Sequence, residues 1–275
     1  MVRTRRVGAW GLRLLGVEAA ETLLVDAPDS WPELVLDLAV GPVERQDQYV
    51  DDTGSAFPLT GGGWAALDRG EQRASITVPH ELDPDALVHP YLAPVVTMAS
   101  MWHGRFTVHG GAFVHAGRAW GVLGQRQAGK SSLLGWCSAS GLPVLTDDVL
   151  AVGGTTAFAG PRCVDLRAAA AQHFGIGRSL GVVRDRERWR VDLPGVVPEV
   201  PLGGWVALAW GDSVGVERMA TRNLMQLLLD QRGVNLGVEA EQLLDLAALP
   251  AVTFRRPPEW SALDASMEKL LTALD

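Results

Sequence analysis

The sequence predicts an α/β protein in which a core of strands and helices follows a mainly β region. Three observations support this prediction: a phosphate-binding loop pattern between an apolar stretch and a helical stretch, a later apolar stretch ending in two aspartates, and alternating apolar residues early in the chain. A strand, loop, helix and strand within about 30 residues are typical of nucleotide-binding α/β cores.

The clearest signal is the segment from Gly124 to Ser131, which matches the pattern G-x-x-x-x-G-K-[ST]. From the composition, a match is expected by chance about 0.002 times in such a chain. The chain has only two lysines, Lys130 and Lys269, and one of them stands where the pattern requires lysine. Glycines let backbone N–H groups turn inward, and the following helix adds its free N–H groups and dipole. The segment therefore predicts a phosphate site.

We predict ATP and Mg²⁺ as the molecules bound at this loop. Lys130 is expected to reach the β- and γ-phosphates, and the hydroxyl of Ser131 to ligate Mg²⁺. The alternatives are a turn that binds nothing and a loop that binds nucleotide without chemistry. The predicted nucleotide-binding residues are Gly124, Gln125, Arg126, Gln127, Ala128, Gly129, Lys130, Ser131 and Ser132.

Residues 1–88 are predicted to be mainly β. The stretches 33–40 and 72–78 alternate in part, which is typical of half-buried strands, and residues 61–63 are three glycines that mark a turn. No catalytic motif occurs in this region. We therefore divide the chain into an N-terminal region, 1–88, and a nucleotide-binding domain, 89–275.

Periodicity and turn residues predict the remaining elements. An apolar stripe in the last helix, formed by Leu263, Met267, Leu270, Leu271 and Leu274, indicates a core face. The predictions are helices at 90–103, 130–139, 217–231, 238–248 and from 259, strands at 105–108, 112–116, 118–124, 141–146 and 251–254, and a charged loop at 184–190.

Composition excludes several classes of function. The net charge of −8 argues against a general nucleic-acid-binding surface, which would be basic. No apolar run is long enough to predict a membrane span, and charged residues interrupt any N-terminal signal core. The two cysteines, Cys137 and Cys163, form neither a disulfide framework nor a metal site. We expect a cytoplasmic protein.

A second half of the site is predicted at Asp147 and Asp148, which follow Lys130 by 17 and 18 residues at the end of a strand. Carboxylates at strand ends beside a phosphate loop commonly bind Mg²⁺ or position the nucleophile. A solvated turn is the alternative. His109 precedes the loop at another strand end, where a histidine is more often structural. The same holds for His89, His103 and His115.

These elements resemble the HPr kinase/phosphorylase family. The resemblance rests on His-Gly with an apolar strand at 109–114, the loop at 124–131 and the strand ending Leu-Thr-Asp-Asp at 145–148. A looser match continues through 164–167, and residues 1–88 show none. The resemblance implies an α/β, P-loop HPr-kinase-like core over 89–275, preceded by the N-terminal mainly β region.

The resemblance also implies roles for individual residues. Asp147 resembles the catalytic aspartate that takes the proton of an attacking hydroxyl. His109 resembles the histidine that lies beside this aspartate and adjusts its pKa. Asp148 and Asp165, together with Ser131, would belong to the Mg²⁺ site. The family usually has glutamate at the position of Asp165. The chain also departs from the family in the loop, where Gln125, Arg126 and Gln127 replace small residues.

The predicted function is an ATP- and Mg²⁺-dependent kinase that phosphorylates a hydroxyl, with serine favoured, on a small protein or peptide. A tailoring kinase for a peptide natural product is one form of it. The alternatives are a small-molecule kinase acting on free serine and a nucleotide-binding regulator or assembly partner. A deep, closed pocket beside Asp147 would favour a small acceptor, and an open groove would favour a peptide. The segment 184–190 either borders this groove or forms a solvated hairpin. The family's hexamers make a homo-oligomer an option.

Overall fold

Alternating apolar strands and amphipathic helices form a mixed α/β structure with several sheets. The computed structural model describes residues 6–43, 47–183, 186–233 and 240–275. Short 3₁₀ segments occur at Glu18–Leu23 and Trp260–Ala262, and a π-type turn at Leu87–Leu92. The helices are α1 (Pro84–Ala86), α2 (Ala93–Trp102), α3 (Lys130–Ala139), α4 (Ala168–Phe174), α5 (Thr221–Asp230), α6 (Ala240–Ala248) and α7 (Leu263–Leu274).

The strands follow the same chain order. They are β1 (Val7–Ala9), β2 (Leu12–Leu15), β3 (Val25–Asp26), β4 (Glu33–Val40), β5 (Tyr49–Val50), β6 (Gly54–Leu59), β7 (Gly63–Asp68), β8 (Arg73–Val78), β9 (Phe106–His109), β10 (Gly111–His115), β11 (Arg118–Leu123), β12 (Val144–Thr146), β13 (Val149–Gly153), β14 (Thr156–Phe158), β15 (Cys163–Leu166), β16 (Arg178–Val183), β17 (Arg186–Asp192), β18 (Glu199–Trp210), β19 (Gly215–Arg218) and β20 (Ala251–Arg256).

The described N-terminal residues form a sheet with the strand order β3-β1-β2-β4-β8-β7-β6-β5. Strand β4 has the predicted bounds, and its alternation buries Leu34 and Leu36 against the core. The predicted stretch 72–78 becomes β8, which pairs in parallel with β4. The prediction of a mainly β region is therefore confirmed for the described residues before 88.

The second sheet contains the predicted core strands in the order β12-β10-β11-β18-β14-β13-β9, with β20 on β18 and β19 on β20. Strands β11, β18 and β20 are parallel neighbours. Their register sets Leu123 opposite Ala207 and Trp210 opposite Arg256, so the three strands end at one edge of the sheet. Ligands of open α/β sheets bind outside the carboxyl ends of such strands. This edge also carries the loop after β11.

Apolar packing joins the two sheets. One cluster of buried side chains runs from Val7 in β1 through α2 to Ala251 in β20. Trp31 crosses the same boundary, because its indole N–H donates to the carboxylate of Glu199 at 2.6 Å. The division of the chain at residue 88 stays a prediction. The buried apolar cluster contains residues from both sides of this division.

A second apolar cluster surrounds α3 and α7. The predicted stripe of α7 is buried at Leu263, Met267, Leu270 and Leu274, which confirms its core role, while Leu271 is half-buried. Helix α3 approaches β15 closely at Gly135, where an added Cβ would lie 3.0 Å from Leu166. This apolar packing fixes the position of α3, the helix that follows the glycine-rich loop.

Two predicted elements differ from the structure. The charged segment 184–190 is predicted as a loop, but its described part belongs to β17, which pairs with β15 and β16. Residues 184 and 185 lie outside the described residues. The helix predicted at 217–231 begins at Thr221 because residues 215–218 pair with β20 as β19. None of the described helices is both long and apolar enough to cross a membrane.

Candidate functional site

The glycine-rich loop joins β11 to α3. Strand β11 ends at Leu123, and α3 runs from Lys130 to Ala139, which are the predicted helix bounds. Gly124 has a φ of +156° and Gly129 a φ of +89°, so the chain turns at both glycines of the pattern. Gln127 has a φ of +71°. The backbone therefore makes the strand–turn–helix shape in which phosphate-binding loops expose their N–H groups.

Replacing Gly129 by alanine is expected to destabilise the fold more than replacing Gly117. Both have positive φ, so each substitution incurs a backbone cost of about 1–2 kcal/mol. A Cβ at Gly129 would also lie 2.5 Å from Nη2 of Arg256 and 3.1 Å from the ring of Trp210, whereas nothing lies within 4 Å of one at Gly117. Urea unfolding of G129A and G117A measures the difference, and equal losses would contradict the close packing.

Lys130 lies at the first turn of α3, with its ammonium turned onto the loop. Its Nζ donates to the carbonyl oxygens of Gly124 at 2.7 Å and Gln125 at 3.4 Å. Burial lowers the pKa of Lys130, and the negative charges of Asp148 and Asp147 oppose that shift. The predicted phosphate lysine and the predicted aspartates therefore lie near one another.

A tight turn between β12 and β13 presents the two aspartates. Asp148 has a φ of +65°, a left-handed conformation that aspartate tolerates better than most residues. The Oδ1 of Asp147 accepts from the backbone N–H of Asp148 at 2.9 Å, and its Oδ2 accepts from the backbone N–H of Asp165 at 3.2 Å. Both carboxylate oxygens of Asp147 are thus held by backbone donors.

The environment of Asp147 favours its protonated form. Burial, together with the negative charges of Asp148 and Asp165, raises the pKa of Asp147 to about 7, although the two backbone hydrogen bonds oppose the rise. A carboxyl group that titrates near neutral pH can both accept and return a proton under physiological conditions. Its environment therefore suits Asp147 to general acid–base chemistry.

The two histidines near the turn contact Asp148. His109 Nδ1 lies 3.4 Å from Oδ1 of Asp148, and His89 Nε2 lies 3.3 Å from Oδ2. The resemblance implies that His109 neighbours Asp147, but the register of β9 with β13 sets His109 opposite Val149, beside Asp148. His109 therefore contacts Asp148, the second aspartate of the pair.

Asp165 is held by a buried arginine. Arg190 donates from Nε to Oδ1 of Asp165 at 2.7 Å and from Nη2 to Oδ2 at 2.8 Å, a bidentate pair. Its Nη1 donates to Asp85 Oδ1 at 3.0 Å and to the Asp85 carbonyl oxygen at 2.9 Å. The backbone N–H of Asp165 also donates to Asp147, the candidate base. The buried ion pair between Arg190 and Asp165 therefore holds in place the backbone that supports Asp147. The proposed Mg²⁺ role of Asp165 stays a prediction.

One cavity brings the predicted residues together. It has a volume of about 50 Å³, which is room for roughly three to five water-sized groups. It opens beside the first turn of α3 and the turn between β12 and β13, and it also receives side chains from the N-terminal sheet and from β17. The lining residues are Trp10, Val88, His89, Ser131, Asp147, Asp148, Pro161, Cys163, Asp165 and Arg188.

The donor set of this cavity fits Mg²⁺ together with phosphates. Ser131 and Asp148 place a hydroxyl and a carboxylate on its wall, which are oxygen ligands of the kind that Mg²⁺ prefers. Across the described residues, no group of three or more His, Cys, Asp and Glu side chains is arranged to hold a metal ion. Mg²⁺ commonly uses one or two carboxylates plus substrate phosphates, so this set is sufficient when a nucleotide is present.

Sequence reasoning missed several residues that build the site. Trp10 donates from its indole N–H to the Val149 carbonyl oxygen at 2.9 Å, which braces the aspartate turn. Gln231, with its amide oriented to satisfy hydrogen bonding, donates to the carbonyl oxygens of His109 and Gly124 at 3.0 and 3.1 Å. Neither residue belongs to a motif, and each acts across more than a hundred positions of chain, so no local pattern reveals them.

The remaining predicted residues are placed as follows. Gln125, Arg126 and Gln127 are exposed on the loop, and Ser132 is half-buried in the first turn of α3. Ala128 is buried beneath the loop. The described part of the segment 184–190 reaches the cavity through Arg188, so this part of the segment borders the site.

Comparisons with known proteins give limited results. No family model matches the chain, and no curated protein matches it. Among solved structures, the chain is similar to the Hpr(Ser) kinase/phosphatase from Coxiella burnetii, with a TM-score of 0.32 and 12% sequence identity. The match covers 61% of this chain and 96% of that one. A likeness of this size does not assign a function, which has to be argued from the site itself.

Proposed function

We propose that this protein is an ATP- and Mg²⁺-dependent kinase of the HPr-kinase type that phosphorylates a serine hydroxyl on a small protein or peptide. One observation carries the proposal: Ser131 of the glycine-rich loop and Asp147 line the same cavity. A phosphate held at the loop and a hydroxyl entering the cavity would therefore meet beside a carboxyl that titrates near neutral pH.

The chemistry requires a proton acceptor and a place for the phosphates. As the acceptor oxygen forms its bond to phosphorus, its proton passes to the Asp147 carboxylate, and the bond to the leaving phosphate oxygen breaks. The loop N–H groups and Lys130 hold the phosphates, because backbone donors and an ammonium offset their charge. Mg²⁺, when bound, neutralises charge on the β- and γ-phosphates. Asp148 and Ser131, which line the same cavity, would hold it.

The border of the cavity favours a side chain as the acceptor. Arg188 of β17 lines the cavity together with Asp147, so a strand lies beside the place where a hydroxyl would enter. A serine side chain presented by a peptide would leave the rest of the peptide outside, along β17. Modification of a peptide natural product is one setting in which such a substrate occurs.

Phosphate transfer from γ-labelled ATP tests the proposal. The full chain is incubated with Mg²⁺, labelled ATP and a panel of serine peptides, each matched by the same peptide with alanine in place of serine, and with free serine. We expect label on serine peptides alone. Label on free serine alone would favour the small-molecule kinase, and intact ATP binding with no transfer to any acceptor would contradict the proposal.

The rate of transfer is expected to rise with pH around neutrality. Asp147 accepts a proton only when ionised, and its pKa is raised to about 7, so kcat/KM should increase through that pH and level off above it. A pH profile of kcat/KM between pH 5 and pH 9 measures this (a range of about two units either side of the midpoint). A profile already flat at pH 5 would show that no group with this pKa acts as the base.

A further inference from the structure

Trp210 is an exposed aromatic residue attached to the phosphate loop. It ends β18, and its indole N–H donates to the carbonyl oxygen of Gln127 at 3.1 Å. Its ring lies 3.1 Å from the position that a Cβ on Gly129 would occupy. Nevertheless, 43% of the residue is exposed. An indole held against the loop and open to solvent is placed to contact whatever the loop binds.

Arg256 covers one face of this indole. It ends β20, directly opposite Trp210 in the parallel register, and its Cζ lies 4.3 Å from the centroid of the Trp210 ring. Arg256 itself is only 3% exposed. The stack is a cation–π contact that fixes the plane of the ring. The exposed surface of the indole therefore belongs to the side away from Arg256.

The guanidinium of Arg256 carries a charge that the described residues leave without a counter-charge. Its Nε and Nη2 atoms are enclosed and have no hydrogen-bond partner, and within the described ranges it forms no ion pair. Burial lowers the pKa of Arg256 to about 10, so it stays charged at neutral pH. Enclosing an unpaired charge is unfavourable.

The position of this charge indicates an anionic ligand. Nη2 of Arg256 lies 2.5 Å from the position of a Cβ on Gly129, at the start of α3, where the helix dipole is positive. Lys130 follows directly. An enclosed guanidinium beside the positive end of a helix concentrates positive charge that an anion would offset.

We propose that Trp210 and Arg256 form the outer wall of a nucleoside triphosphate site, in which the free face of Trp210 stacks on the base and Arg256 adds positive charge behind the phosphates. This inference rests on the proposed function and deepens it. Trp210 ends β18, which pairs with β11, and Arg256 ends β20, which pairs with β18, so both lie at the edge where α/β sheets bind ligands. Stacking depends on the π-face that every base has, so this wall recognises the base without selecting among bases.

Calorimetric titration of the full chain with Mg-ATP, and separately with inorganic tripolyphosphate and Mg²⁺, tests the role of Trp210. Loss of a base stack weakens binding by about 5- to 150-fold. We expect Trp210→Leu to weaken ATP binding by such a factor and to leave tripolyphosphate binding unchanged, and Trp210→Phe to retain ATP binding. The matched control is Trp260→Leu, because Trp260 stacks on His173 instead; it should change neither affinity.

The same titrations test Arg256. Arg256→Gln removes the charge and should weaken ATP and tripolyphosphate alike by at least about tenfold, the effect of one charge about 12 Å away at an effective dielectric constant near 20. Arg256→Lys keeps the charge and should retain tripolyphosphate binding. This pair of variants separates the effect of charge from the effect of packing.

Several outcomes would overturn the inference. Equal loss of both ligands in Trp210→Leu would show that the indole only shapes the loop, and an unchanged ATP affinity would show that no base stacks there. Unchanged tripolyphosphate binding in Arg256→Gln would overturn the role of the charge. A wild-type protein that binds neither ligand would overturn this inference and the proposed function together. The expected binding pattern without phosphate transfer would contradict the kinase alone.

Discussion

Replacement of Asp147 by asparagine is expected to lower the rate of phosphate transfer by about 10²- to 10⁴-fold, the usual contribution of a general base. Asparagine keeps the size of the side chain and one of the two acceptor oxygens that the backbone N–H groups of Asp148 and Asp165 use. It cannot take a proton from a hydroxyl. ATP affinity should stay near that of the wild type, because the proposed phosphate ligands are untouched.

The measurement combines steady-state transfer with calorimetric binding of Mg-ATP. Asp212→Asn is the matched control, since Asp212 is an exposed aspartate in the turn after β18 and lies outside the cavity lining. Wild-type turnover in the Asp147 variant would show that Asp147 is not the base, whereas a wild-type protein that binds Mg-ATP and transfers no phosphate would be a nucleotide-binding regulator or assembly partner. Loss of ATP binding along with turnover would place Asp147 among the nucleotide ligands instead.

The same substitution should also change how stability depends on pH. The folded pKa of Asp147 is raised to about 7 from an ordinary value of 3.8, so the folded protein holds a proton that the unfolded chain releases. Ionised Asp147 therefore costs stability increasingly as pH rises from about 4 to about 7. The Tm of Asp147→Asn relative to wild type should increase over that range. A pH-independent difference would mean that Asp147 titrates at its ordinary value in the fold.

Local pattern was sufficient to predict the loop and the elements around it. The bounds of α3 follow from a glycine that ends the turn and from the apolar residues of Lys130–Ala139, all of which lie close together in sequence. The end of β12 before Asp147 has the same origin, because the apolar stretch stops where the polar pair begins. Interactions within a few residues determine these features.

The partners of the site residues could not be predicted in the same way. His109 contacts Asp148 because β9 and β13 pair in a particular register, which depends on the whole sheet. The resemblance assigns Asp165 to the Mg²⁺ site and says nothing of Arg190, which donates to both of its oxygens from 25 positions later, on a strand predicted as a loop. Alternating charges along Arg186–Asp192 conceal that strand, since Arg190 is a charged residue whose position is buried.

Replacement of Arg190 by methionine is expected to cost about 3–5 kcal/mol of stability, because removing one partner of a buried ion pair leaves the other charge uncompensated. The Arg190 side chain is 0% exposed, and both oxygens of Asp165 depend on it. Arg178→Met is the matched control. Arg178 pairs with Asp85 but is 48% exposed, so its loss should cost about 0–1 kcal/mol.

Urea unfolding of Arg190→Met, Arg178→Met, Asp165→Asn and the double variant Arg190→Met/Asp165→Asn measures this prediction. Neutralising Asp165 removes the uncompensated charge, so the double variant should lose less stability than the sum of the two single variants. Because the N–H of Asp165 donates to Asp147, Arg190→Met should also slow phosphate transfer at temperatures where the variant stays folded. Equal, small losses for Arg190→Met and Arg178→Met would show that the pair between Arg190 and Asp165 does not hold the backbone beside the proposed base.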